Sequence, residues 1–289
     1  MQRRRLIVAL TVAMLLAGAP RPPQRIVSVS PAITELLYGI GAFDRVVAVT
    51  EFCLYPPAAR ALPKVGGWST PSVERVVSFR PDLVAISDGQ APFLKEPLEK
   101  LGMHVEAVKS QTIDDAFQAM AALGRATGNE RQAAELAART RAELETVRRR
   151  AASLPHPSVL AIVDRTPGTL RDLYAVTPGS FLAELIGIAG GKLVAGSTRA
   201  GYGRISKETV LAENPDMILD IMPASQSSTG PHPESAWNEL PEINAVRLRQ
   251  VRVVREEFVP HDSQMIGRTA ALFARLLHPD VPPGDWESR

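Results

Sequence analysis

Cysteine is almost missing from this chain. Among 289 residues only Cys53 carries a thiol, so no intramolecular disulfide and no multi-cysteine zinc or iron–sulfur site can form. Histidine is scarce and scattered. The five stand at 104, 156, 232, 261 and 278, none at the His-x-x-x-His spacing of a catalytic zinc site. An excess of one charge is also lacking. Lys and Arg number 33 against 31 Asp and Glu, with no basic block beyond the N-terminus, so nothing resembles a nucleic-acid footprint. No apolar run reaches the roughly 20 residues of a bilayer-spanning helix. Gly190-Gly191-Lys192 has no glycine before it at phosphate-loop spacing, which argues against a nucleotide site there. What remains is an ordinary globular mixture, 45% hydrophobic and 22% charged. Its length suits two lobes of roughly 100–150 residues each.

Residues 1–19 read as a signal peptide. Arg3, Arg4 and Arg5 form a positive start, Leu6 to Ala17 is apolar, and Ala17-Gly18-Ala19 supplies small residues for cleavage. The alternative is a retained membrane anchor. Cleavage would remove three arginines and no acid, turning the net charge of +2 into −1. No cysteine stands at the end of the apolar run, which argues against a lipoprotein anchor.

Beyond a proline-rich entry, short apolar runs alternate with helical patterns, the signature of parallel βα units. Strands are expected at 25–30, 46–50, 83–86, 104–108, 158–163, 173–176, 217–221 and 252–254. Helices are expected at 32–40, 72–79, 93–101, 180–188, 207–212 and 265–277. Ala133, Ala137, Thr140, Leu144, Val147 and Ala151 step by four and three, which predicts one long helix over 129–152. At 1.5 Å per residue it would be roughly 36 Å long. Residues 279–289 read as a loose tail.

The chain also repeats itself. Ser72, Glu74, Val76, Pro81 and Asp82 recur as Ser206, Glu208, Val210, Pro215 and Asp216, an offset of 134 throughout. Each copy reads as a helix with a first-turn glutamate, a Pro-Asp turn and a buried strand. Two similar lobes therefore flank the long helix, the first over 20–128 and the second over 153–278. A cleft between two lobes is where a small ligand binds.

The ordered set Ser30-Pro31-x-x-Thr34-Glu35, Tyr55-Pro56-Pro57, Gly67-Trp68 and the two glutamate helices resembles the helix-linked periplasmic substrate-binding proteins of ABC importers. That family carries cobalamin, haem and iron–siderophores, and the set is most similar to its cobalamin-binding members. The resemblance implies an α/β fold of two Rossmann-like lobes with parallel-type sheets, joined by one long helix. It implies a periplasmic monomer with no catalytic residue, no resident metal and no cofactor of its own, whose cargo is cobalamin or a related corrinoid. It further implies that Glu74 and Glu208 dock a permease dimer, although a first-turn glutamate also simply complements its helix dipole.

For the ligand, Tyr55, Trp68, Tyr202 and Phe258 are the expected aromatics, with Glu257, Asp262 and His261 as polar partners. Other readings stay open. Phe258 suits a core equally well, and His261 suits a solvated loop. The charged stretch 164–172 would bring Arg165 or Arg171 toward the cleft, which suits an anionic siderophore or haem. A different class, an exported enzyme with Cys53 as nucleophile, lacks an evident histidine partner, and a small buried residue is the plainer reading. A sensor domain on the same fold is the third.

Overall fold

The structure, a computed structural model, describes residues 21–195, 201–225 and 232–287. The expected signal peptide lies outside them.

The first lobe is built on four parallel strands, β1 (Ile26–Ser28), β2 (Val46–Val49), β3 (Leu83–Ser87) and β4 (Val105–Val108), in the order β2-β1-β3-β4. Helices α1 (Pro31–Gly39), α2 (Val73–Ser78), α3 (Ala91–Lys100) and α4 (Ile113–Thr127) cover its faces. A parallel sheet is buried on both sides, which is why β3 is apolar at successive positions rather than alternate ones. Leu83 and Ala85 pack with Leu36, Leu37 and Met120 on one face, Val84 and Ile86 with Val76, Leu94 and Leu98 on the other.

The second lobe departs from the all-parallel expectation. Strands β5 (Ser158–Asp164), β9 (Met217–Ile221) and β10 (Val251–Val254) are parallel, and short β7 (Lys192–Leu193) joins β5 in the same sense. But β6 (Tyr174–Val176) runs antiparallel to β5, and β8 (Tyr202–Arg204) antiparallel to β6. For the first of these reversals the reason is the connection. A parallel crossover takes a dozen or more residues, usually a helix, and only 165–173 separate β5 from β6. Helices α6 (Phe181–Ile188), α7 (Lys207–Glu213), α8 (Asn244–Arg247) and α9 (Ile266–Leu277) complete this lobe.

Between the lobes runs α5, Glu130–Ala151. Its buried face carries the six periodic residues named from the sequence, plus Leu136. The first half packs into the first lobe through Ala133, Leu136 and Ala137. The second half packs into the other lobe through Leu144, Val147 and Ala151. Helix α4, which the periodicity did not reveal, lies against it. Its buried face is largely small (Ala116, Ala119, Gly124, Thr127), so it gives little apolar signal. A Cβ on Gly124 would come within 2.6 Å of Ala133, so this glycine sets how closely the two helices approach.

The 134-residue repeat is visible in three dimensions. β3 spans 83–87 and β9 spans 217–221, the same offset at both ends. Arg80 and Asn214 both adopt left-handed backbone, with φ of 47° and 41°. Each Pro-Asp turn then aims its carboxylate at the start of its lobe's first strand. Asp82 accepts the amides of Gln24 and Arg25 at 2.7 and 2.8 Å, and Asp216 accepts the amide and hydroxyl of Ser158 at 3.0 and 2.7 Å.

The C-terminal segment is not loose. Trp286 is 1% exposed and stacks on His278 with ring centroids 5.7 Å apart. Asp285 pairs with Arg150 at the end of α5. Removing a fully buried indole forfeits its transfer energy and leaves a void. Trp286→Ala is therefore expected to cost about 3 kcal/mol in a urea titration; an unchanged midpoint would show that the segment contributes nothing.

Candidate functional site in the cleft between the lobes

A cavity of about 530 Å³ opens between the lobes, where the carboxyl ends of the strands face each other. This is the usual ligand position in open α/β sheets, because loops leaving the strands diverge there. The first lobe contributes Ser30 after β1, Phe52 after β2, Ser87 at the end of β3, and the Trp68 loop. The second contributes Tyr174 and Tyr202, with Pro260 to Asp262 after β10.

Trp68 is 41% exposed, an unusual state for an indole unless something else covers it. Its loop is held from behind. The Gln90 side-chain amide is buried and donates to the Trp68 carbonyl and to the Val29 carbonyl, both at 2.8 Å. Opposite, Tyr202 is stacked with Tyr174, centroids 6.4 Å apart and planes 17° from parallel. Burial raises the Tyr202 phenol above its ordinary value, so it remains a neutral hydrogen-bonding group. Tyr174 and Phe52, both more than a third exposed, are cleft aromatics that the sequence reading missed. The sequence puts Tyr174 on a strand, but the face it presents depends on a register that only the pairing with β8 sets.

Three expected ligand residues lie elsewhere. Tyr55, Glu257 and Phe258 line a smaller side chamber of about 200 Å³ rather than the main cavity. Tyr55 meets Tyr38 edge-on at 5.4 Å, and Phe258 lies under the Arg268 guanidinium at 4.9 Å. The Glu257 carboxylate accepts the amide and hydroxyl of Ser225. His261 borders both chambers and is not a solvated loop residue. Arg165 does not reach the cleft either. Its guanidinium is buried against Asp220 at 2.8 Å, where Trp237 Nε1 donates to the same carboxylate, and it also donates to the Thr169 and Pro233 carbonyls. Arg171 is exposed and borders neither chamber. Cys53 is fully buried between Thr34 and Thr50, and burial pushes its thiol up, away from nucleophilic thiolate.

The lobes are tied together beside the cavity. Glu35 on α1 is buried, and every group that binds its carboxylate comes from the other lobe. His261 Nδ1 lies 2.8 Å from Oε1, and the Ser263 hydroxyl donates to Oε2. Gln264 donates to the Glu35 carbonyl at 3.0 Å. A second tie runs along the far side. The Phe181 amide donates to the Gln111 carbonyl at 2.7 Å, and the Ile113 amide donates to Glu184 at 3.0 Å.

Glu74 and Glu208 occupy matching corners, one per lobe. Each is exposed in the first turn of its helix behind a serine cap, Ser72 bonding the Arg75 amide and Ser206 the Thr209 amide. Hydrogen bonds from its own amide and from Ser72 hold the Glu74 carboxyl below the usual range; for Glu208, Ser206 leads and its own amide follows. Both are therefore firmly charged at neutral pH.

Burial opposes charge on His261, but Glu35 outweighs it, with Asp262 and Glu257 adding, and the imidazole stays above its ordinary value. Burial pushes Asp262 up to about 6, with Asp88 and Glu35 adding to the rise. Both groups hold protons more tightly folded than unfolded, so stability falls as pH rises. The Asp262 share is lost between 3.8 and about 6. The His261 share is intact below 6.5 and lost above it, as pH passes the elevated folded value. In melting curves against pH, Asp262→Asn is expected to flatten the acid limb and His261→Gln the limb above 6.5. A His261→Gln curve parallel to wild type above 6.5 would remove this account of the junction.

Comparison with known proteins agrees with this geometry. The sequence family described as "Periplasmic binding protein" matches residues 26–257. The vitamin B12-binding protein of Vibrio cholerae is 26% identical over 245 residues, 84% of this chain and 85% of that one. An uncharacterised ABC transporter substrate-binding lipoprotein of Bacillus subtilis is 26% identical over 90% of this chain and 82% of its own length. Among solved structures, the periplasmic vitamin B12 binding protein of Vibrio cholerae superposes with a TM-score of 0.76 at 24% identity, covering 90% of this chain and 98% of that one. A periplasmic haem-binding protein from Roseiflexus gives 0.78 at 21%, covering 89% and 98%. These relatives are binding proteins and not enzymes. With its two α/β lobes, its long linking helix and its open cleft, the chain belongs to the periplasmic binding protein family.

Proposed function

We propose that this protein captures cobalamin or a related corrinoid outside the cytoplasm and delivers it to the membrane subunits of an ABC importer. One observation carries the reading. Aromatic rings from both lobes line the cavity, Trp68 and Phe52 against Tyr174 and Tyr202, and all but the half-buried Tyr202 are more than a third exposed. A flat, largely apolar macrocycle with a polar rim covers such faces, and His261 and Asp262 stand where amide groups on that rim need partners. Relatives called vitamin B12-binding proteins support the same ligand. Haem is the second reading, favoured by His261. With Nδ1 held by Glu35, Nε2 has no protein partner among the described residues and suits an axial bond to iron.

Delivery rests on Glu74 and Glu208. Two identically capped, exposed carboxylates on repeated helices suit a partner with two matching basic surfaces, and such contacts orient docking more than they set affinity. Two hydrogen-bonded ties plus a rod embedded in both lobes leave few torsions for a wide hinge, so closure on ligand is small.

Calorimetric titration with cyanocobalamin, and with haem in parallel, decides the ligand. Tight one-to-one cobalamin binding is expected, weakened at least about tenfold, or 1.4 kcal/mol, by Trp68→Ala. Haem binding without cobalamin binding would select the second reading. For delivery, the Glu74→Ala, Glu208→Ala double variant should bind ligand normally and lose uptake in cells; full uptake would discard the docking role.

A further inference from the structure

The side chamber has no assigned role. It adjoins the aromatic cavity, sharing His261 as a wall, and it too is formed by both lobes. Four charged side chains line it, and their bonding states differ by sign. Both carboxylates are occupied, Glu35 by His261 and Ser263, Glu257 by Ser225. Both guanidiniums lack a carboxylate partner among the described residues. Arg60 comes from the first lobe and uses only Nε, donating to the Leu54 carbonyl at 3.3 Å, so its two terminal nitrogens have no partner among the described residues. Arg268 comes from α9 in the second lobe. Its Cζ lies over the Phe258 ring, 4.9 Å from the centroid, and its one hydrogen bond among the described residues is a long one, 4.0 Å, to the Met265 sulfur. Glu143 on the long helix is the remaining acid near Arg268; burial pushes its carboxyl up, against the pull of Arg139 and Arg268, and no ion pair forms between it and Arg268 among the described residues.

We propose that the side chamber is an oxyanion subsite in which Arg60 and Arg268, one from each lobe, hold a phosphodiester or carboxylate arm of the ligand seated in the aromatic cavity. A guanidinium presents paired N–H groups that match two oxygens of such an anion. Two of them on opposite sides of the cleft add a charge-assisted tie between the lobes that forms only with an arm-bearing cargo. The subsite thus makes the protein selective for complete ligands over fragments lacking the arm. It replaces Arg165, which the fold consumes internally, as the source of positive charge at the cleft.

This rests on the ligand occupying the cavity as proposed above, and the test separates the two. Cyanocobalamin carries a phosphodiester arm and cobinamide, the same ring, lacks it; haem carries carboxylates and its dimethyl ester does not. Wild type, Arg60→Gln, Arg268→Gln and the double variant are titrated with all four. Within the pair that binds, wild type should prefer the anionic member, each substitution should cost it roughly three- to tenfold, and the double variant should bind both members equally. Affinity for the arm-free member should stay constant. The pair that responds identifies the anion. Binding of a pair with a preference that the substitutions leave unchanged overturns the subsite and keeps the cavity. No binding by either pair overturns both.

Discussion

The contact on which the rest depends is the buried carboxylate of Glu35. A charge removed from water costs several kcal/mol unless hydrogen bonds replace its hydration. Here every replacement for that carboxylate crosses the cleft, from His261 and Ser263. Separating the lobes at this point would strand the charge, so the two halves are held at one distance by a desolvation penalty and not by apolar contact alone. That distance sets the width of the aromatic cavity, and the same imidazole borders both chambers. Geometry of the site and cohesion of the fold therefore share one group of atoms.

The fold was largely legible in the sequence because its signals are periodic. The 134-residue offset survives as matched strands, matched left-handed residues before proline and matched aspartates at strand starts. The long helix was legible for the same reason. What escaped was structure built from small or charged residues. Helix α4 hides behind alanine and glycine, and the antiparallel pair β5–β6 depends on the length of a loop rather than on any pattern.

The site was legible in part, and the misses have one physical origin. Trp68 between Gly67 and Ser69 announces a displayed indole, whereas Tyr202, six residues before Glu208, is expected at the ligand only through the family resemblance. Tyr55 and Phe258 are aromatic and near the cleft, yet which chamber they enter depends on loop paths that no local spacing encodes. Arg165 illustrates the converse. A charged loop suggested a ligand contact, but Asp220 is buried in the middle of β9, and a buried carboxylate captures the nearest guanidinium. A lone acid inside an otherwise apolar strand was the signal for that pairing.

The connecting helix has a consequence beyond spacing. Because α5 gives its first half to one apolar core and its second half to the other, neither core closes without it. The second core also recruits Ala116 from α4, and Trp286 from far downstream. The two lobes are separate in shape and single in thermodynamics. A chain cut on either side of the rod leaves one lobe with part of its interior open to water. They melt as one cooperative unit.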